Sequence, residues 1–267
     1  MAVLAGVLRA GQRTRHAPPG GAGVTVAADK LDDAGRAETG RMVALDHVTV
    51  QYYQRSRVVT ALSDVSFIVH PGQSVGILGT KGSGKTTLIR LLAKLEQPMT
   101  GRVVHHNMTA SWPLWARTGL IRGMTVRDNI RFTAQLYGRA APDLIRSVDD
   151  FAGLGASMDR LLGDLPASTM AKVMFSAAVG LDFDFYPIDG LNATSDLEFR
   201  RKADETLQML RRRAAIVLAT GRAAAIKQYC DVAYVLHRGV LTHHDTIDKA
   251  IRYFRTCSAE PGEEAAS

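Results

Sequence analysis

The sequence predicts an α/β fold with a mostly parallel core sheet, an antiparallel β edge and a helical subdomain. Three observations carry that expectation. The stretch Gly79-Thr80-Lys81-Gly82-Ser83-Gly84-Lys85-Thr86-Thr87 fits the pattern Gly, four free positions, Gly-Lys and then Ser or Thr. Short apolar runs alternate along the chain with longer segments of helical period. A chain of 267 residues, 46% of them hydrophobic, can bury a sizeable core in one α/β domain with additions.

In chain order, Val43 to Val50 and Val65 to Val69 read as half-buried strands, since polar and apolar residues alternate. Pro71-Gly72-Gln73 turns the chain into an apolar strand, Ser74 to Leu78. After the glycine-rich stretch, Leu88, Ile89, Leu91, Leu92 and Leu95 give a helix with one apolar face. Pro98 to Gly101 turns into a strand at Val103-Val104. Residues from about 125 to 165 read as helical, over Val126 to Leu136 and Leu144 to Phe151, with Leu161 and Leu162 beyond. Ala171 to Gly180 is a further apolar helix, and Phe183 to Ile188 a strand ending in Asp189. Glu198 to Arg213 is a polar-faced helix, and Ile216 to Ala219 and Val232 to Leu236 are strands. Gly239 turns into Val240 to Thr242, and a helix from Thr246 to Arg255 closes the fold.

Bulk properties narrow the partners. The formal charge of +7 suits an acidic or membrane-associated surface, but no dense Lys/Arg run marks a nucleic-acid groove. Cys230 and Cys257 have no metal-ligand spacing and read as reduced thiols of a cytosolic protein. No run of about 18 apolar residues would span a membrane. The opening Ala2 to Leu8 run lacks a basic region before it, so a secretory signal is not expected. Residues 1–40 are rich in Gly, Ala and Arg without apolar period, and are expected to be a disordered extension. The start codon is open between Met1 and Met42. The expected organisation is a domain over 41–257, with its helical subdomain at about 125–180, and a flexible acidic tail over 258–267.

The glycine-rich stretch has a definite chemistry. A strand, a tight turn and a helix N-terminus aim backbone N–H groups and the positive end of the helix dipole at one point. Gly79, Gly82 and Gly84 let the backbone approach phosphates closely, Lys85 would reach the β- and γ-phosphates, and Thr86 would ligate Mg²⁺. The loop as a whole (Gly79, Thr80, Lys81, Gly82, Ser83, Gly84, Lys85, Thr86 and Thr87) is the candidate site for a nucleoside triphosphate. A buried strand ending in a carboxylate, Phe185-Tyr186-Pro187-Ile188-Asp189, follows at the spacing expected of a second nucleotide motif.

With these motifs in this order, the chain resembles the nucleotide-binding domain of ATP-binding-cassette (ABC) transporters. Within that family it is most similar to the ATPase subunit of capsular polysaccharide exporters. The subfamily likeness rests on Ala110-Ser111-Trp112-Pro113-Leu114, Gly123 to Phe132, Asp182 to Tyr186 and Ile226 to Asp231. It covers about Met42 to Phe254, and the chain ends too soon after the last helix for the carbohydrate-binding domain of O-antigen exporters to be expected. The resemblance implies that the nucleotide is ATP, with an aromatic residue stacked on adenine, at Tyr52, and an aspartate holding the Mg²⁺ water shell, at Asp189. For Tyr52 the plainer alternative is an edge-strand tyrosine packed on its neighbours, since either Tyr52 or Tyr53 could point inward. It also implies a permease partner, a dimer with a second copy or with a paralogous ATPase subunit, and a peripheral place on the cytoplasmic face of the bacterial inner membrane.

The departures from the family pattern fall on the groups that organise hydrolysis. The glutamate that polarises the attacking water is replaced by Gly190, which has no side chain to accept a proton. The switch histidine is replaced by Gly221, and the signature segment reads Pro166-Ala167-Ser168-Thr169, whose Ser168 and Thr169 are expected to cap a helix. The loop glutamine aligns with Arg122, which cannot act as a neutral metal-shell acceptor. No catalytic side chain is therefore assigned. The pairs His105-His106 and His243-His244 would point to opposite strand faces and are expected at the surface. Arg211-Arg212-Arg213 is expected to be the solvated end of a helix. The combined reading is an ATP-binding exporter subunit with weak or lost hydrolysis, the alternative being an inactive regulatory or structural nucleotide binder.

Overall fold

A computed structural model describes residues 40–54, 57–114, 119–191 and 196–259. The extension expected over 1–40 lies outside these residues apart from Gly40, and so does the acidic tail beyond Ala259.

Three strands form a sheet of their own. β1 (Met42–Gln54) pairs antiparallel with β2 (Arg57–Val69) on one edge and with β4 (Thr100–His106) on the other. The strands run longer than their apolar cores suggest, because cross-strand pairs such as Tyr52 with Val59 carry the ladder beyond the buried stretch. The inward residues of β1 are Val43, Leu45, Val48 and Val50, and the register shifts between Leu45 and Val48 keep them on one face.

The second sheet has the order β5-β6-β3-β7-β8. Its strands are β3 (Ser74–Leu78), β5 (Phe185–Asp189), β6 (Ala215–Thr220), β7 (Val232–His237) and β8 (Val240–His244). The first four are mutually parallel, and β8 returns antiparallel on the edge after the Arg238-Gly239 turn. Between the two sheets lies α1 (Lys85–Leu92), which buries Leu88, Ile89, Leu91 and Leu92 against Val43, Leu62, Val75, Phe185 and Val217. Burial on both sides of one short helix fixes the loop before it. The helix stops at Leu92, Lys94 turns out at φ 55, and Leu95, expected on the apolar face, is exposed.

The other face of the second sheet carries the helices α2 (Val126–Leu136), α3 (Ala141–Ala152), α4 (Ala167–Gly180), α5 (Leu197–Leu210), α6 (Ala223–Tyr229) and α7 (Ile247–Ala259). Their core joins Ile130, Val148, Phe175, Leu207 and Ile226 to Leu78, Tyr186 and Leu218 of the sheet. Thr125 caps α2 by accepting from Asp128 N, and Asp196 caps α5 by accepting from Phe199 N. Around Leu161 and Leu162 the chain forms short 3-10 turns, Gly155–Asp159 and Leu162–Asp164, in place of α-helix.

Several sequence expectations are corrected here. The helix α4 begins at Ala167 with Pro166 at its N-cap and no side-chain cap, so Ser168 and Thr169 lie inside its first turn. Pro166 fixes its own φ at −56 and starts the helix without a capping hydroxyl. Arg211 is not a solvated helix end: it donates to Asp231 Oδ1 at 2.7 Å and to the Gln228 carbonyl at 3.0 Å, tying α5 to the end of α6. Arg213 pairs with Asp182. The histidine pairs are half-buried. His105 packs edge-on against Phe185, ring centroids 6.0 Å apart, and burial pushes its pKa down to about 4. His244 packs on Tyr253 and His243 on Tyr234, each with centroids 5.0 Å apart.

Candidate functional site

The candidate site lies at the carboxyl ends of β3, β5 and β6, which open side by side on one edge of the parallel sheet. Leu78, the last residue of β3, is in register with Thr220 of β6, and Asp189 of β5 with Ala219. Backbone bonds then stitch the loops together. Gly79 N donates to the Thr220 carbonyl at 3.3 Å, and Gly190 N to the Ala219 carbonyl at 2.8 Å. The structure thus brings the loop, Asp189, Gly190 and Gly221 to one place.

Within the loop, glycine is demanded by contact at two positions. A Cβ at Gly79 would stand 2.4 Å from Ser83 Oγ and 2.7 Å from the Leu236 carbonyl. One at Gly84, where φ is 104, would stand 2.2 Å from the Ala61 carbonyl of β2. Gly84 is also the N-cap of α1, and it offers no side chain to the free N–H groups of the first turn. Those donors face outward for an anion, with the helix dipole behind them. Ser83 is buried, and its N–H donates to the Thr80 carbonyl at 3.3 Å, while Lys81 and Gly82 form the exposed crest.

Lys85 folds back over this loop, its ammonium donating to the Thr80 carbonyl at 2.5 Å. Burial pulls the Lys85 pKa down, and the nearby Asp189 charge opposes that shift. Thr86 Oγ1 donates to Asp189 Oδ2 at 2.8 Å. One hydroxyl and one carboxylate oxygen within a hydrogen bond of each other suit a small hard cation with oxygen ligands, such as Mg²⁺. The residues present therefore fit a phosphate group with its divalent ion.

The two glycines on the far side behave differently. Around Gly190, φ is 75 and no atom lies within 4 Å of an added Cβ. At Gly221 an added Cβ would meet only the Gly79 carbonyl, at 3.4 Å, which is ordinary contact. Nothing packed against these positions excludes a side chain.

Tyr52 is the inward member of its pair, and Tyr53 is 78% exposed. The Tyr52 hydroxyl stands 3.0 Å from Thr87 Oγ1 and donates to Glu96. Burial raises its pKa, reinforced by the bond to Glu96. The ring thus packs on its neighbours and also lies beside the loop. Arg122, by contrast, turns to the helical side and donates to the Gly163 carbonyl at 3.1 Å. Pro166 to Thr169 open α4 in the same region.

Sequence reasoning missed two polar anchors. Glu96 follows α1, and nothing in the sequence pattern singles it out. Asn129, inside α2, is fully buried: it accepts from Ile121 N at 2.7 Å and donates to the Ile121 and Thr125 carbonyls, both at 2.9 Å. An Asn on the apolar face of a helix was the signal that could have found it.

A family model described as ABC transporter matches residues 62–178. The chain is 34% identical over 216 residues to the capsule polysaccharide export ATP-binding protein CtrD of Neisseria meningitidis serogroup B, covering 80% of this chain and 99% of the relative. To the ATP-binding protein BexA of Haemophilus influenzae it is 33% identical over 214 residues, covering 80% and 98%. A solved dimeric structure of the ATP-binding cassette MJ0796, in a post-hydrolysis state with ADP and Pi, superposes with a TM-score of 0.63. That match is 18% identical and covers 75% of this chain and 98% of that one. At such identity it shows the fold alone.

Proposed function

The chain belongs to the ABC transporter family, and on that premise we propose that it is the ATP-binding subunit of an exporter of capsular or related cell-surface polysaccharide. It works with a membrane permease on the cytoplasmic face of the inner membrane, and it turns ATP over weakly or not at all. The polymer class rests on relatives named for capsule export and for polysialic acid transport. Among the described residues no helix is long and apolar enough to cross a membrane.

ATP binding rests on the loop from Gly79 to Thr87, with Tyr52 beside it. Lys85, which now bonds the Thr80 carbonyl, would follow the phosphates, and the Thr86–Asp189 hydrogen bond supports these two residues as the ones that would supply oxygens for Mg²⁺. When bound, that ion would neutralise charge between the phosphates. Weak hydrolysis rests on a single observation: on this same sheet edge, Gly190 and Gly221 offer no carboxylate and no imidazole. Affinity and turnover depend on different groups, so one survives the loss of the other.

Dimerisation does not repair the deficit. In the family arrangement each ATP lies between one subunit's loop and its partner's signature segment. A second copy of this chain would give two sites lacking the glutamate, the histidine and a regular signature. An intact paralogue would bring a good signature to this chain's loop, but Gly190 and Gly221 would remain. The paralogue's own site would face Pro166-Ala167-Ser168-Thr169. The alternative, an inactive regulatory or structural nucleotide binder, draws support from Gly190 in a glycine-favouring backbone at φ 75.

The experiment is ATP binding and steady-state hydrolysis by the purified chain, with and without the permease. Binding with turnover at least about a hundredfold below an intact cassette is expected, since losing a transition-state-stabilising group costs about that much. Brisk hydrolysis that disappears in Lys85→Ala would overturn the reading.

A further inference from the structure

Glu96 lies just beyond the end of α1, in a turn with no function so far, yet its side chain is only 16% exposed. Its carboxylate accepts the hydroxyl proton of Tyr52 at 2.5 Å. Because that proton is engaged, the 3.0 Å contact on the other side runs from the Thr87 hydroxyl to the Tyr52 oxygen. Arg90 Nε stands 3.4 Å from the second carboxylate oxygen, which is buried and makes no hydrogen bond. The Arg90 guanidinium balances the carboxylate charge from that side while the other oxygen holds the tyrosine proton.

We propose that Glu96 is a positioning residue for nucleotide recognition: with Thr87 it locks the Tyr52 ring at the place where a purine base stacks. This rests on the ATP-binding reading given above. The geometry carries it in three steps. Thr87 belongs to the first turn of α1 and Glu96 follows its last, so the hydroxyl is held from both ends of one buried helix. The loop that would take the phosphates is the direct lead-in to the same helix, so the ring and the loop share one rigid reference. Tyr52 sits only two residues before the last pair of the β1–β2 ladder, Gln54 with Arg57, where few strand neighbours brace it, so these bonds are what fix its two side-chain torsions. A ring fixed in advance binds a base without the entropy loss of ordering.

The test compares two probes on the full chain, Mg²⁺ with ATP and Mg²⁺ with inorganic tripolyphosphate, by titration calorimetry. Tripolyphosphate engages the loop but has no base. Glu96→Ala is expected to weaken ATP about five- to tenfold, part of what a full stacking contact supplies, while changing tripolyphosphate less than about twofold. Glu96→Gln should recover most of the ATP affinity, because its amide oxygen still accepts the tyrosine proton. Tyr52→Phe should match Glu96→Ala, and the double variant should lose no more than either single one. Equal loss of both probes in Glu96→Ala and Glu96→Gln would show a merely structural role and overturn the proposal. Unchanged ATP affinity, or additive losses in the double variant, would do the same. A wild-type chain that takes up neither probe would instead remove the nucleotide reading on which the proposal stands.

Discussion

Two halves of one sheet edge carry glycines for opposite reasons. After β3, Gly79 and Gly84 are glycines because a Cβ would drive into Ser83 Oγ and the Ala61 carbonyl, at 2.4 and 2.2 Å. After β5 and β6, Gly190 and Gly221 stand in space that would admit a side chain. The first half is fixed by the fold: the same contacts that shape the phosphate cradle also hold α1 between two sheets. At Gly190 and Gly221 themselves the second half is held by backbone, so a side chain added there meets no packed neighbour, although φ 75 strains one at Gly190. Binding is thus built into the architecture, and hydrolysis is an addition to it.

The sharpest way to break this comparison is to place one methyl group on each side. Gly84→Ala is expected to cost about 3 kcal/mol or more, since the clash is with backbone and φ is 104. Gly221→Ala should stay within about 0.5 kcal/mol. Similar melting temperatures for the two variants would erase the distinction. Next in size is the ligand effect. At a hundred times its Kd, ATP with Mg²⁺ stabilises a folded protein by about 2.7 kcal/mol, and Lys85→Ala should remove most of that shift in a thermal melt. A full shift in the variant would mean that the loop does not hold phosphates.

Smaller again is the effect of restoring an acid. Gly190→Glu should cost about 1 kcal/mol, because φ 75 strains any L side chain there. It should restore little turnover while Gly221 and the altered signature remain, as a phosphate-release assay would read. An effect of similar size concerns acid. The His105 ring is held neutral by burial, its pKa near 4 against 6.5 for a free histidine. The folded state binds fewer protons than the unfolded one, so stability present above pH 6.5 declines as the pH falls toward 4. For a partly exposed ring this amounts to about 1 kcal/mol, and His105→Phe should flatten that part of a denaturation series between pH 7 and pH 5.

How much was legible follows from where the signals sit. The bounds of β3 and α2 can be read directly from Ser74 to Leu78 and Val126 to Leu136, because apolar period and flanking turn residues agree there. The pairing of β4 with β1 was not legible: Val103-Val104 marks a strand but carries no information on its partner. The helix α6 was missed because Ala223-Ala224-Ala225 shows no polar contrast and Arg222 supplies no side-chain cap. Its buried face, Ala225, Ile226 and Tyr229, has helical spacing, but seven residues give the pattern too few turns to stand out. In the site, the loop and the Asp189 strand end were visible as motifs. The inward choice of Tyr52 over Tyr53 depends on strand orientation, and the link from Glu96 to Tyr52 spans sheet and helix, so no local spacing announces it.

The central position of β3 has a consequence for how the chain is made. Both of its neighbours, β6 and β7, are synthesised long after it, as residues 215–220 and 232–237. A nascent chain that has just emerged past residue 87 carries every letter of the phosphate loop but no ladder to hold it. Such non-local parallel pairing forms slowly and leaves strand edges exposed until it closes. The loop therefore takes shape only when the C-terminal third has left the ribosome, and nucleotide cannot protect any shorter fragment from proteolysis.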